Sequence, residues 1–129
     1  MKNTPNALSK LWVFLTLNYI FCDVFSLYLS SHLQELLNGG IGEIKFTETF
    51  LLNFAIIMEI PLVMVVLSYF MKLKINRIIN IIAATFMIII QVGSLATGKN
   101  SLHYWFFSSI EISTLLLIIG IAFNGSTKK

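Results

Sequence analysis

Four predominantly apolar stretches, at approximately 8–29, 48–70, 77–96 and 102–123, leave this chain few ways to fold. A helix of about 20 residues rises about 30 Å, the thickness of the hydrocarbon core of a bilayer. In that solvent every backbone N–H and C=O has to find its partner within the chain, which excludes isolated strands and makes each stretch a membrane-spanning helix. Composition agrees, with 57% hydrophobic and 12% charged residues where soluble domains carry about 25% charged, and a mean hydropathy of +0.83. The expectation is an all-α protein: a single domain over residues 1–129, folded as a polytopic membrane four-helix bundle.

Lys2 and Lys10 before the first stretch imitate a signal peptide. That stretch is too long for one, contains Asp23 and runs into Ser30, Ser31 and His32 without a small-x-small cleavage site, so it reads as a mature span. The connection from Ser30 to Thr47 is the longest, and its HLQELL segment, stopped by Asn38, Gly39 and Gly40, predicts a short interfacial helix. Thr47 can N-cap the second span, with Glu48 in the first turn favouring the helix dipole. Pro61 should kink that span by removing one backbone hydrogen bond, and Asn124, Gly125 and Ser126 end the fourth.

The net charge of +3 and pI near 9.1 do not point to nucleic acid, because the cations lie between spans and form no patch with aromatics. They act as topology signals. Lys2, Lys10, Lys72, Lys74, Arg77, Lys128 and Lys129 fall on one side, and Lys45 and Lys99 on the other. By the positive-inside rule both termini and the second connection are cytoplasmic. The connections carrying His32, Glu35, Glu43 and the edge at His103 then face outward. Arg77, Lys72 and Lys74 are expected to snorkel to lipid phosphates. The lone Cys22 has no partner for a disulfide or a CxxC motif and reads as a small buried residue.

Inside the apolar stretches stand three carboxylates, Asp23, Glu59 and Glu111, with no Lys or Arg in the span interiors to neutralise them. An acid near mid-membrane costs on the order of 3 kcal/mol and normally faces protein or water. Counted by helical rise from the outer ends, Asp23 and Gln91 lie about 9 Å deep, Glu111 about 13 Å and Glu59 about 16 Å, so each helix brings one polar group to a common band. On the first span Thr16, Tyr19, Asp23, Ser26 and Ser30 share about 80° of arc. On the third, Arg77, Asn80, Ala84, Met87, Gln91 and Ser94 form a polar and small-residue stripe suited to close packing. Ser101, Tyr104, Ser108 and Glu111 share a face of the fourth, and Glu59 is flanked by Leu52, Ala55 and Val63 on the second. These faces are expected to line the bundle axis, with Gln91 and Tyr19 as hydrogen-bond partners of the acids. Such acids can simply fasten helices through neutral hydrogen bonds. Three of them without a cation point further, to a site for a proton or a small cationic ligand.

His103 at the outer mouth, about two turns above Glu111, and Tyr104 beside it are candidates for the entrance to that site. Trp105, Trp12 and Tyr69 are expected to be interfacial anchors, and His32 to be solvated. No HxxxH or ExxH pair occurs, so no metal ligand set is assigned. No nucleophile motif is present either, so no catalytic residue and no cofactor are assigned.

The segments LNYIFCDVFSLY (Leu17 to Tyr28), FLLNFAIIMEIPLVM (Phe50 to Met64), INRIINII (Ile75 to Ile82) and HYWFFSSIE (His103 to Glu111) resemble a family of small four-helix bacterial membrane proteins known only as a domain of unknown function. The resemblance implies a multi-pass protein of the bacterial inner membrane, with polar positions at Asp23, Glu59, Asn80, His103, Tyr104 and Glu111, and no activity to carry over. The leading functional expectation is a small transport or ligand-binding bundle, acting as a homodimer because four short helices enclose little volume. The alternatives are a membrane enzyme acting on a lipid-like substrate and an accessory subunit of a larger membrane complex. The lipid bilayer is the partner common to all three.

Overall fold

A computed structural model describes residues 4–41, 44–96 and 100–124. Five helices, α1 (Thr4–Tyr28), α2 (Ser30–Leu37), α3 (Glu48–Phe70), α4 (Leu73–Ala96) and α5 (Leu102–Asn124), account for nearly all of it, and α1, α3, α4 and α5 are long and apolar enough to cross a membrane. The chain is a multi-pass helical membrane protein. Lys2, Glu43, Lys99, Gly125, Ser126, Lys128 and Lys129, on which part of the charge and boundary argument rests, lie outside the described residues.

The four long helices run up and down. Ser9 Oγ near the start of α1 donates to the Val65 carbonyl near the end of α3 at 2.7 Å, and Phe25 near the end of α1 stacks on Phe107 near the start of α5. Gln91 of α4 reaches Ser108 of α5, while Arg77 at the other end of α4 lies over the Phe123 ring, 4.8 Å from its centroid. Neighbours around the bundle are therefore α1, α3, α4 and α5 in cyclic order, and α1 and α4 face each other across the diagonal.

Each helix turns a seam inward at spacings of three and four, as in a helical bundle. The seam is Leu8, Trp12, Leu15, Tyr19 and Cys22 on α1; Asn76, Asn80, Ala84, Met87 and Gln91 on α4; and Ser108, Glu111, Leu115, Ile118 and Ala122 on α5. On α3 only Pro61, Met64 and Ser68 are buried. The outer surface is apolar, with Phe14, Ile20, Phe21, Ile82, Ile89, Leu116 and Leu117 exposed, which is stable only against hydrocarbon.

The caps follow the sequence. Thr47 Oγ1 accepts from Phe50 N at 3.1 Å, and α3 runs unbroken through Pro61. α2 forms where HLQELL predicts a helix, and Gly39, with φ of +95°, turns the chain after it. Next comes a two-residue antiparallel pairing of β1 (Gly40–Ile41) with β2 (Ile44–Lys45). Two helices start earlier than the apolar pattern suggests. α1 is already helical at Thr4, the first described residue, four residues before Leu8. α4 begins at Leu73, so Lys74 and Arg77 belong to its first turns and the second connection shrinks to Met71 and Lys72. Long cationic side chains reach water from inside a helix end, so hydropathy marks the apolar window rather than the helix. The tight turn is closed by Asn76 Nδ2, which donates at 2.6 Å to the carbonyl of Ser68 in the last turn of α3, one of the acceptors that a helix C-terminus leaves unpaired.

Trp12 is not an interfacial anchor. It is 0% exposed, and its Nε1 donates across the bundle diagonal to Asn80 Oδ1 at 2.7 Å. The anchor expectation treated an indole near a span end as amphipathic surface, whereas the N–H here has found an acceptor in the core.

Candidate functional site

The half of the bundle at the α2 end carries one set of the polar groups that the seams turn inward. Glu111, nine residues into α5, is 1% exposed, and Ser108 one turn before it is equally buried. Gln91 of α4 donates through Nε2 to Ser108 Oγ at 2.8 Å, and its side chain also hydrogen-bonds the Glu111 carboxyl. The second carboxyl oxygen, Oε2, is buried and makes no hydrogen bond. On α1 the hydroxyl of Tyr19 is likewise buried and unpartnered, close enough to Glu111 to sense its charge. Two orphaned polar atoms thus face one region between α1 and α5. Native interiors rarely leave such groups unmatched, since each costs about 1–3 kcal/mol.

Asp23 lies at the edge of this group. The α1 seam passes from Tyr19 to Cys22, which puts Asp23 one residue off the buried line and leaves it exposed. It is still near enough to Glu111 for the two charges to interact, and His32 of α2 acts electrostatically on Asp23 in turn. His32 was expected only to be solvated; it stands in α2, which follows α1 after the extended residue Leu29, and is half-buried in the neighbourhood of Asp23.

His103 bridges α1 and α5 at the mouth. Its Nε2 is 3.0 Å from Ser26 Oγ and its Nδ1 2.9 Å from Ser101 Oγ. Ser26 spends its one proton on the Cys22 carbonyl at 2.9 Å, so His103 Nε2 must be the donor in that contact. With a neutral ring, Nδ1 then accepts from Ser101. Tyr104 hydrogen-bonds Ser94 of α4 and completes the rim.

Glu59 is apart from this group. The inner line of α3 runs through Ile57, Pro61, Met64 and Ser68, and a residue two positions from Ile57 and Pro61 points about 200° away. Glu59 and the Leu52, Ala55 and Val63 around it are all exposed. The apolar flanks give no phase signal, because lipid-facing and core-facing residues of a membrane helix are chemically alike.

A second polar group, at the opposite end of the bundle, escaped sequence reasoning as a unit. Asn80 Oδ1 accepts from both Trp12 Nε1 and Ser68 Oγ, the latter at 3.0 Å, while Asn80 Nδ2 donates to Asn76. All four residues are buried and these polar groups are mutually satisfied. The i, i+4 pair of asparagines in INRIINII was its only sequence signal.

Among the described residues no group of three or more His, Cys, Asp or Glu is gathered as a metal site. Residues 2–129 match a family of unknown function, DUF6326. No curated protein and no solved structure matches the chain.

Proposed function

Because the chain belongs to the family of unknown function DUF6326, its role has to be read from its own side chains, and we propose that it is a small transport or ligand-binding bundle whose site for a proton or a small cation is centred on Glu111. The observation that carries this reading is the buried Oε2 of Glu111, unpartnered beside an equally unpartnered Tyr19 hydroxyl. An unpaired carboxylate in a membrane interior is costly, so the position calls for a positive charge. Gln91 orients the carboxyl, and Ser108 fixes Gln91. Asp23, exposed at the edge and within electrostatic reach of both Glu111 and His32, is the natural intermediate between the α2 surface and the buried acid. By the charge distribution that surface faces outward and both termini lie in the cytoplasm, of a bacterial inner membrane if the family resemblance is followed.

The test is proton uptake by protein in liposomes, followed through the infrared carboxyl band as pH is scanned across neutrality. Wild type takes up a proton at a carboxyl that Glu111→Gln removes, Asp23→Asn slows its arrival, and Glu59→Gln leaves it in place. An unchanged band in Glu111→Gln sinks the reading.

A further inference from the structure

Glu59 occupies the worst position for a carboxyl in this molecule. It is the central residue of α3, eleven positions from Glu48 and eleven from Phe70, about 16 Å from either end. It is exposed, on the side of α3 away from the bundle, and no hydrogen bond or ion pair to it exists among the described residues. Around it Leu52, Ile56, Leu62, Val63 and Val66 are exposed as well. α3 is also the least covered span: 11% of its apolar window is buried, against 28%, 28% and 33% for α1, α4 and α5. Left against lipid, Glu59 would sit in hydrocarbon with nothing to bond.

We propose that this face of α3 is a dimer interface, where the Glu59 carboxyl of one copy hydrogen-bonds the Glu59 carboxyl of a second copy of this chain. The occupant follows from position and complementarity. Because Glu59 is at the midpoint of α3, a two-fold axis that stacks α3 on α3 at mid-span brings Glu59 opposite Glu59, whether the copies run parallel or antiparallel. A neutral carboxyl is both donor and acceptor, so such a pair is self-complementary and satisfies both groups without any residue foreign to the sequence. Lys10, Lys45, Lys72, Lys74 and Arg77, the cations among the described residues, all stand near span ends or in connections. Among the described residues a second copy therefore brings no cation to this depth, and the contact is a hydrogen-bonded acid pair rather than a salt bridge. Ala55, one turn before Glu59 and exposed on the same side, provides the small residue that lets two membrane helices approach. The interface is independent of the Glu111 site, and neither stands or falls with the other.

The full chain in lipid vesicles, in a Cys22→Ser background, carries the test. A single Val63→Cys on the Glu59 face is expected to form a disulfide-linked dimer under mild oxidation, whereas Leu117→Cys on the outer face of α5 is not. Labelled protein diluted in bilayers should show a monomer–dimer equilibrium that Glu59→Leu moves toward monomer by at least about tenfold, and that Glu59→Gln, which keeps a donor and an acceptor, largely preserves. Wild type that is monomeric at every dilution overturns the proposal and points instead to a partner with a cation at this depth. So does equal cross-linking at Leu117, or a Glu59→Leu variant that dimerises as well as wild type.

Discussion

Replacing Asn80 by Leu would remove an acceptor from the bundle interior, on the side of the α3–α4 turn, while nearly conserving volume. Asn80 Oδ1 receives Trp12 Nε1 at 2.7 Å and Ser68 Oγ at 3.0 Å, and both donors are 0% exposed. Ser68 has an escape, since a serine hydroxyl in a helix can rotate onto the carbonyl four residues back. The indole N–H of Trp12 is rigid and has none. The expected loss is therefore the penalty of the stranded indole donor and of the buried Asn76 Oδ1, which loses Asn80 Nδ2, about 1–3 kcal/mol each, above the largest cross-helix hydrogen bonds measured in a membrane protein at about 1.7 kcal/mol. Unfolding in mixed micelles of increasing detergent strength, followed by far-ultraviolet circular dichroism, gives the free energies. A double-mutant cycle isolates the bond: in a Trp12→Phe background, Asn80→Leu should be at least about 1 kcal/mol less damaging, because the stranded donor is gone. Equal destabilisation in both backgrounds would refute the assignment of Asn80 as the acceptor that holds the bundle diagonal.

Two further substitutions separate strain from function. Tyr19→Phe removes a buried hydroxyl that bonds nothing, so unfolding stability should stay level or rise by up to about 1 kcal/mol, while proton or cation affinity at Glu111 falls; a clear loss of stability would mean that the hydroxyl has a structural partner. Gly39→Ala meets no atom within 4 Å but must hold φ at +95°, a strain of about 1–2 kcal/mol. Hydrogen exchange should speed up at the amides of Gly39 and Phe46, which bond to Leu36 and Gly39 carbonyls, and stay unchanged in α4 and α5.

The number of spans and the fold class were legible because the bilayer leaves one solution for an apolar run of this length. Which face of each span turns inward was legible only where polar residues repeat. Asn80, Met87 and Gln91, and Ser108 with Glu111, were placed inward from their spacing and are buried. Glu59 shows where that logic stops. A single acid among Leu, Ala and Val carries no periodicity, and the assumption that an acid must face its own bundle does not hold for Glu59, which is exposed. Trp12 failed for a related reason: distance along the sequence from a span end says nothing about whether an indole N–H finds an acceptor on another helix. The nearness of His32 to Asp23 depends on how α2 follows α1 after Leu29, a geometry that local patterning does not report.

The polar groups of this bundle occupy two levels with opposite character. At the turn between α3 and α4, the network of Trp12, Ser68, Asn76 and Asn80 is closed: its donors find acceptors, and it ties α1, α3 and α4 together on the fully buried side. At the α2 end the hydrogen bonds of Gln91 with Ser108 and Glu111 stop short, with Glu111 Oε2 and Tyr19 OH unmatched. α3 contributes buried residues only from Pro61 onward, on the closed side, so the unmatched atoms sit where the bundle is least covered. A satisfied network rigidifies, whereas an unsatisfied one beside a thinly covered helix has both the need for a charged occupant and the slack to admit it. Under the proposed function, that asymmetry sets Asn80 in the architecture and Glu111 at the site, although both are buried polar residues on inward seams. It also makes the two separable: Asn80→Leu should lower stability with little effect on the Glu111 proton, and Glu111→Gln should abolish that proton with little effect on stability.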